Sequence, residues 1–446
     1  MSTREAFIAV NRFGLGARPG ELRFAAADPA RWVERQLASQ ADVPSALSGF
    51  PRSRDTILQF QAARKAAKKS KDKSAVKMLR KKYRQAYLDE AAARTQTQID
   101  TTQPVTERLV AFWSNHFTVS VRKPLLRGVA GAFEREAIRP HVTGRFTDML
   151  RAVVRHPAML VYLDNAQSIG PNSKAGRRRK RGLNENLARE TLELHTLGVD
   201  GGYTQTDVRE FAKILTGWSV AGGRVQSPDG FTFRKAAHEP GPKTLLGRRF
   251  TEAGVREGED ALAMLAKHPS TARYVATKLV RHFAADVPPE RLVKHLAQVF
   301  LDTDGDLRAV MGALVRAPEV WAAPLPKVKT PNEFVVSVLR ATGYRDAPKK
   351  LIGALRLLGQ LPYAAPSPAG WPDEAAKWVG PAAMMQRAEF SMALGRRLKG
   401  KLAADALLTE TIAPVVSEAT KLAVARAPTR AEAIATVFAS PEFQRR

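Results

Sequence analysis

The segment Asn184–Leu197, NENLARETLELHTL, carries the residues best suited to chemistry in this 446-residue chain. At about 100° per residue, Asn186, Glu190 and Glu193 share one helical face, flanked by Glu185, Arg189 and Thr196. Leu187 and Leu194 point the other way, with His195 near them. Two glutamates one helical turn apart raise each other's pKa when buried together. Glycoside cleavage uses that kind of inequality, one carboxyl protonated as acid and one ionised as base or nucleophile. Glu190 and Glu193 are therefore candidate catalytic groups. Asp207 or Glu239 could act from the opposite side. The competing reading is a solvated face tied by a Glu185–Arg189 pair at i,i+4.

A second polar group lies upstream. In AFWSNHFTVS, Trp113, Asn115 and His116 interrupt an apolar run, and a buried Asn or His needs a partner. His116 is a third candidate catalytic residue. Trp113, Trp218 and Trp371 are candidate stacking surfaces for sugar rings. Asn115, Glu185, Asn186, Arg189, His195, Asp207 and His238 complete the expected substrate-binding set. Glu190, Glu193, His116 and His195 could also ligate a metal, but neither a Glu-x-x-His nor a His-Glu-x-x-His motif is present. Asp302–Asp306 lacks the calcium-loop glycine position and the closing Glu, and reads as a turn capping the helix from Leu307. No metal ligand or cofactor is assigned: there is no Walker A pattern, no convincing GxGxxG and no GxSxG elbow. The absence of cysteine excludes disulfides, thiolate zinc sites and cysteine nucleophiles.

The elements that must position these groups are helices. Apolar residues recur at three- and four-residue spacing, punctuated by Pro and Gly. The expected class is all-α, a multi-helix array forming one large domain over residues 1–446. At most one small hairpin is expected, Gly230–Arg234 against Arg248–Phe250. Asn184 is a good N-cap and Gly198 a good C′ residue for the acidic helix. Thr204 and Asp207 form a capping box for the next helix, which is expected to run to Trp218 and return it toward Asn184. Four segments share an apolar helix end, a break and a proline: LRAVVRHPAML, ALAMLAKHPSTA, VMGALVRAPEVW and IATVFASPEF. Each reads as a helix–corner–helix joint with Pro at the first helical position. Residues 53–94 read as a helical hairpin turning at KKSKDKS, residues 111–220 as the core carrying the site, and residues 361–378 as a Trp-containing loop or lid.

The formal net charge is +28, and it is local. Residues 64–84 hold eleven cations and one acid, and Lys174, Arg177, Arg178, Arg179, Lys180 and Arg181 add six. Such tracts suit an anionic polymer or glycan, or are simply solvated. No stretch approaches a membrane span, and the first residues lack the apolar core of a signal peptide, so the chain reads as cytoplasmic.

The chain resembles a large bacterial family known as domain of unknown function number eighteen hundred. The matching motifs are NRFGLGARPGEL from Asn11, FWSNHF from Phe112, HPAMLVYLDN from His156 and GLNENLARETLELHTLGVDGGYTQTDVRE from Gly182. They continue with LTGW from Leu215, HPSTARYVATKLVRHF from His268, TDGDL from Thr303, KVKTPNEFVVSVLRATG from Lys327 and GWPDEAAKW from Gly370. The resemblance implies that Asn115, His116, Asn186, Arg189, Glu190, Glu193 and His195 are the family's polar motif residues. It also implies frequent export, beside a sulfatase-like family, and so work on an extracellular polymer. The family's His-Asp pair stands here as His238-Glu239. Three functions remain in view: a hydrolase acting on a polymeric, glycan-like substrate through helix-borne carboxylates, a non-enzymatic polyanion-binding scaffold, and a metal-dependent enzyme with Glu and His ligands.

Overall fold

A computed structural model describes residues 3–39, 41–179, 182–222, 227–322, 325, 327–345 and 347–446. Helices dominate, and one continuous buried apolar cluster runs from Ala6 to Phe443. The chain is mainly helical, as its periodicity requires. No helix among the described residues is long and apolar enough to cross a membrane.

The β-structure differs from the expected hairpin. Strand β1 (Trp218–Val220) pairs antiparallel with β2 (Phe231–Phe233), and β3 (Lys243–Leu245) pairs with β4 (Arg248–Phe250). Phe231–Phe233 and Arg248–Phe250 therefore lie in separate two-stranded sheets. The reason is local: the helix after Thr204 stops at Ile214, and Gly217 turns the chain at φ +85°, so Trp218 starts a strand. That strand meets the first apolar partner downstream, while Leu246-Gly247 closes its own tight turn.

The proline joints form as the chain chemistry predicts. His156 and His268 cap their following helices, each ring Nδ1 accepting an N–H at 3.1 Å, from Ala158 and Ser270. Ser440 does the same for Phe443, and Pro318 opens a short 3-10 turn. Asp306 caps Leu307–Arg316. Thr204 and Asp207 make the expected capping box.

Helices Ser53–Ser70 and Ser74–Asp100 form the basic hairpin. Buried Tyr83 and Tyr87 anchor its base, donating to the carbonyls of Thr56 and Pro362. Beyond them every Lys and Arg of residues 64–84 is exposed.

Two features of the interior set the stage for the site. Six arginines, Arg12, Arg108, Arg139, Arg340, Arg387 and Arg446, are fully buried, a class of residue rarely found inside without partners. Among the described residues three stretches are wound as π-helices: Ala9–Phe13, Glu134–Ile138 and Thr191–Thr196. These are rare windings that gather at functional positions.

Candidate functional site

The acidic helix is short. Asn186–Glu190 is α-helical and Thr191–Thr196 continues it as a π-helix. Leu187, Ala188, Thr191 and Leu192 are buried and hold it to the core, while Glu190 and Glu193 stay half-exposed. Burial and then the Glu193 charge push the Glu190 carboxyl up, and Arg189 only partly opposes them. Arg189 is shared, its guanidinium bonding Glu185 at 3.0 Å and Gln205 at 2.9 Å. Three half-exposed tyrosines surround the pair. Tyr162 is pushed up to about 12 by burial, with Glu190 adding to the shift. Tyr274 is also pushed up to about 12, by burial and in part by Glu193. Tyr203 is raised by burial and then by Glu193, against which its hydroxyl lies. Gly198 makes this closeness feasible: it sits at φ +83°, and a Cβ there would lie 2.8 Å from the Tyr274 ring.

A cavity of about 120 Å³ lies further in. Asn115 and His116 come from the end of helix Pro104–His116, Lys278 and His282 from helix Pro269–Phe283, and Trp371 and Asp373 from the 361–378 strap. Asn115 pins the strap at both ends of its amide: Nδ2 donates to the Trp371 carbonyl at 2.9 Å, and Oδ1 accepts the Trp371 N–H at 2.7 Å. Gly370, at φ +83°, permits this, because a Cβ there would meet the Asn115 carbonyl oxygen at 2.5 Å. Tyr87, Ser120 and Val121 hold the other end of the strap through the carbonyls of Pro362, Ala365 and Tyr363.

The charges behind the cavity are paired. Glu333 accepts from Arg108 and Arg446, and although burial pushes its carboxyl up, Arg446 and Arg108 hold it down to about 2. Asp373 Oδ2 lies 2.8 Å from His282 Nδ1; burial pushes the carboxyl up, but His282, Lys327 and Arg446 override this and hold it far below the usual range. On the other wall Glu134 accepts from Arg94, Ser114 and Tyr363. Arg94 is raised despite its burial because Glu134 faces it. Tyr363 holds its place at φ +57°, a conformation that costs a non-glycine residue about 1–3 kcal/mol.

Helix Pro269–Phe283 joins the two places. Tyr274, Lys278 and His282 stand at i, i+4 and i+8, so they share one face at about 6 Å per step. Tyr274 faces Glu193, Lys278 faces His116, and His282 holds Asp373.

The expected site residues thus separate into groups. Glu185, Asn186, Arg189, Glu190 and Glu193 form the outer rim, and Asn115, His116 and Trp371 line the cavity. Several expectations need correction. Trp113 and Trp218 are buried core residues, stacked on Phe117 and set edge-on to Phe231, so neither offers a face to a sugar. His195 is buried and driven down to about 3 by desolvation, so its ring is not exposed at the rim. His116 is equally buried and held neutral; its Nε2 lies 3.1 Å from the His195 carbonyl, which fixes it as that bond's donor. Asp207 is committed to its cap and to the Leu246 N–H. His238 is enclosed with Glu257 and Lys243, and Glu239 binds Asn172. Neither joins the Glu190 rim, because burial has already given each a partner. Of the arginine tract, Arg177 and Arg178 are exposed, Arg179 ends a short helix, and Lys180 and Arg181 fall outside the described residues. Among the described residues no group of three or more His, Asp or Glu is arranged to hold a metal ion.

One family model, described as a protein of unknown function (DUF1800), matches residues 8–445. The chain belongs to the DUF1800 family. No curated protein matches it, and no solved structure does. In this DUF1800 chain the motifs from His268, Lys327 and Gly370 supply Lys278, His282, Glu333 and Asp373, which sequence reasoning did not assign to the site. The i, i+4, i+8 spacing of Tyr274, Lys278 and His282 was the available signal. Tyr162 and Tyr203 were also within quoted motifs, but nothing in their spacing tied them to Glu190.

Proposed function

We propose that the chain is a hydrolase acting on a polymeric, glycan-like substrate, with Glu190 as general acid and Glu193 as its base or nucleophile partner. The observation that carries this reading is the raised Glu190 carboxyl beside Glu193, half-exposed and ringed by Tyr162, Tyr203 and Tyr274. Neighbouring carboxyls whose environments differ are the arrangement that allows one to give a proton while the other stays charged. Burial keeps the proton on Glu190 longer; the Arg189 charge only partly opposes this, and the Tyr203 hydroxyl lies against Glu193. In this role the tyrosines replace the buried tryptophans as flat surfaces for a sugar ring.

The test is reducing-end release from soluble glycan polymers, neutral and acidic, by wild type, Glu190→Gln and Glu193→Gln. Wild type is expected to cleave at least one polymer, and each variant to lose about 10²–10⁴-fold while melting no lower than wild type by circular dichroism. The reading fails if wild type cleaves none, or if Glu190→Gln keeps full activity.

A second reading, polyanion binding without catalysis, is favoured by the hairpin. None of the eleven cations in residues 64–84 takes part in an ion pair among the described residues, and all are exposed. Retention on a heparin column that falls steeply with salt supports this reading; elution at low salt removes it.

A further inference from the structure

Lys278 is the exception among the charges around the central cavity. Arg94 has Glu134, Arg108 and Arg446 share Glu333, and His282 has Asp373. Lys327, just behind, has Asp286 at 2.5 Å. Lys278 is half-buried, lines the same cavity, and has no hydrogen bond or ion pair among the described residues. Its neighbours do not pair with it: Asp373 and Glu374 favour its charge from a distance but make no ion pair with it, Asn115 is fully used by the strap, and His116 is neutral. A lone ammonium in such a place is held against desolvation and is stabilised by any anion that reaches it.

The space limits what that anion is. A cavity of about 120 Å³ is somewhat smaller than the roughly 150 Å³ apolar cavity that accepts benzene, so it takes a group of about five or six heavy atoms. One cation without an ion pair among the described residues calls for one negative charge, and the carboxylates of Glu134, Glu333 and Asp373 in the walls oppose a second. These conditions describe a carboxylate on a short carbon stem rather than a phosphate dianion.

We propose that this cavity binds the carboxylate of a small monoanionic group, with Lys278 as its counter-charge. Such a group enters beside Trp371 and Pro372, which keep partial exposure. Lowering of the Lys278 pKa by burial accords with a charge awaiting its partner. The proposal goes beyond the hydrolase reading and stands on binding alone. If both hold, the face of Tyr274, Lys278 and His282 places an acidic side group of the substrate one to two helical turns from Glu193.

The test is calorimetric titration of the full chain with lactate, with lactamide as the neutral isostere and inorganic phosphate as the dianion. Lactate is expected to bind, with lactamide and phosphate at least about tenfold weaker, the loss expected for one charge-assisted contact. Lys278→Met is expected to lose lactate by about 10–100-fold while melting no lower than wild type, since it removes an unpaired charge. Glu190→Gln is expected to bind lactate as wild type does, which separates this site from the hydrolase reading. A trigalacturonate that displaces lactate assigns the carboxylate to a polymer, and one that does not assigns it to a free acid; the site stands in either case. Acetylation of Lys278 by acetic anhydride, read by peptide mass spectrometry, gives a measurement without any variant, and lactate is expected to protect it. No lactate binding, equal binding by Lys278→Met, or no protection overturns the proposal.

Discussion

Glu190 and Glu333 are both glutamates on helices, and burial pushes both carboxyls up. Their neighbours send them in opposite directions. Glu333 is enclosed by Arg108 and Arg446 and ends at about 2. Glu190 has Glu193 one turn away and ends above the ordinary value. The first environment resolves the burial penalty within the fold, so its charges are structural. The second leaves the penalty unresolved at a half-exposed rim, the environment on which the proposed acid role rests. Lys278 extends the contrast into the cavity, where a cation is left unmatched among matched ones.

The comparison breaks first if Glu333→Ala is mild. Removing it leaves Arg108 and Arg446 buried without their carboxylate, and a loss of about 3–5 kcal/mol in urea unfolding is expected. A loss below that of an ordinary surface change would mean the arginines find other partners, and the paired-core reading would be wrong.

Trp218→Ala is expected to cost about 3–5 kcal/mol, because the indole is fully buried against Phe231 and Gly258. Trp371→Ala, at the half-exposed strap, is expected to cost clearly less. Equal losses would return Trp218 and Trp371 to one class and undo the division between core and rim.

The pH dependence sharpens the contrast through its sign. For Glu333 the folded pKa is depressed, so its contribution is present above the unfolded value near 4.5 and is lost as pH falls toward about 2. For Glu190 the folded pKa is raised, so the folded state is penalised at neutral pH and relieved as pH falls through the Glu190 value. Glu190→Gln is therefore expected to melt slightly higher than wild type at pH 7, by about 0.2–0.5 kcal/mol for one like-charge pair. The difference is expected to close by about pH 4, near the unperturbed carboxyl value. A variant that melts lower at pH 7 would make Glu190 a structural partner of Arg189.

The smallest effect is expected at the hairpin. Lys77→Ala and Lys81→Ala, both at exposed positions, should each change stability by no more than about 0.5 kcal/mol. A larger change in the melt would show that the tip packs against something.

Much of the architecture was legible because its causes are local. A capping box needs only Thr204 and Asp207, a proline joint only His156-Pro157 or His268-Pro269, and the turn before Leu307 only Asp306. Helical periodicity gave the class and the common face of Glu190 and Glu193. The strand partners were misread because pairing depends on where the preceding helix stops, which Gly217 decides. The tryptophans were misread because a large amphipathic ring looks the same in sequence at a core position and at a binding face.

The sequence by itself determined the helical class, the caps at Thr204 and Asp306, the proline joints, the adjacency of Glu190 and Glu193, and membership of the DUF1800 family. Only the tertiary structure decided which charges are paired. Asp373 reaches His282 across 91 positions, and Arg108 reaches Glu333 across 225. No local rule links such residues, since an ion pair is set by distance and desolvation in the folded chain. For the same reason only the fold shows that Lys278, within reach of so many charges, has no ion pair among the described residues.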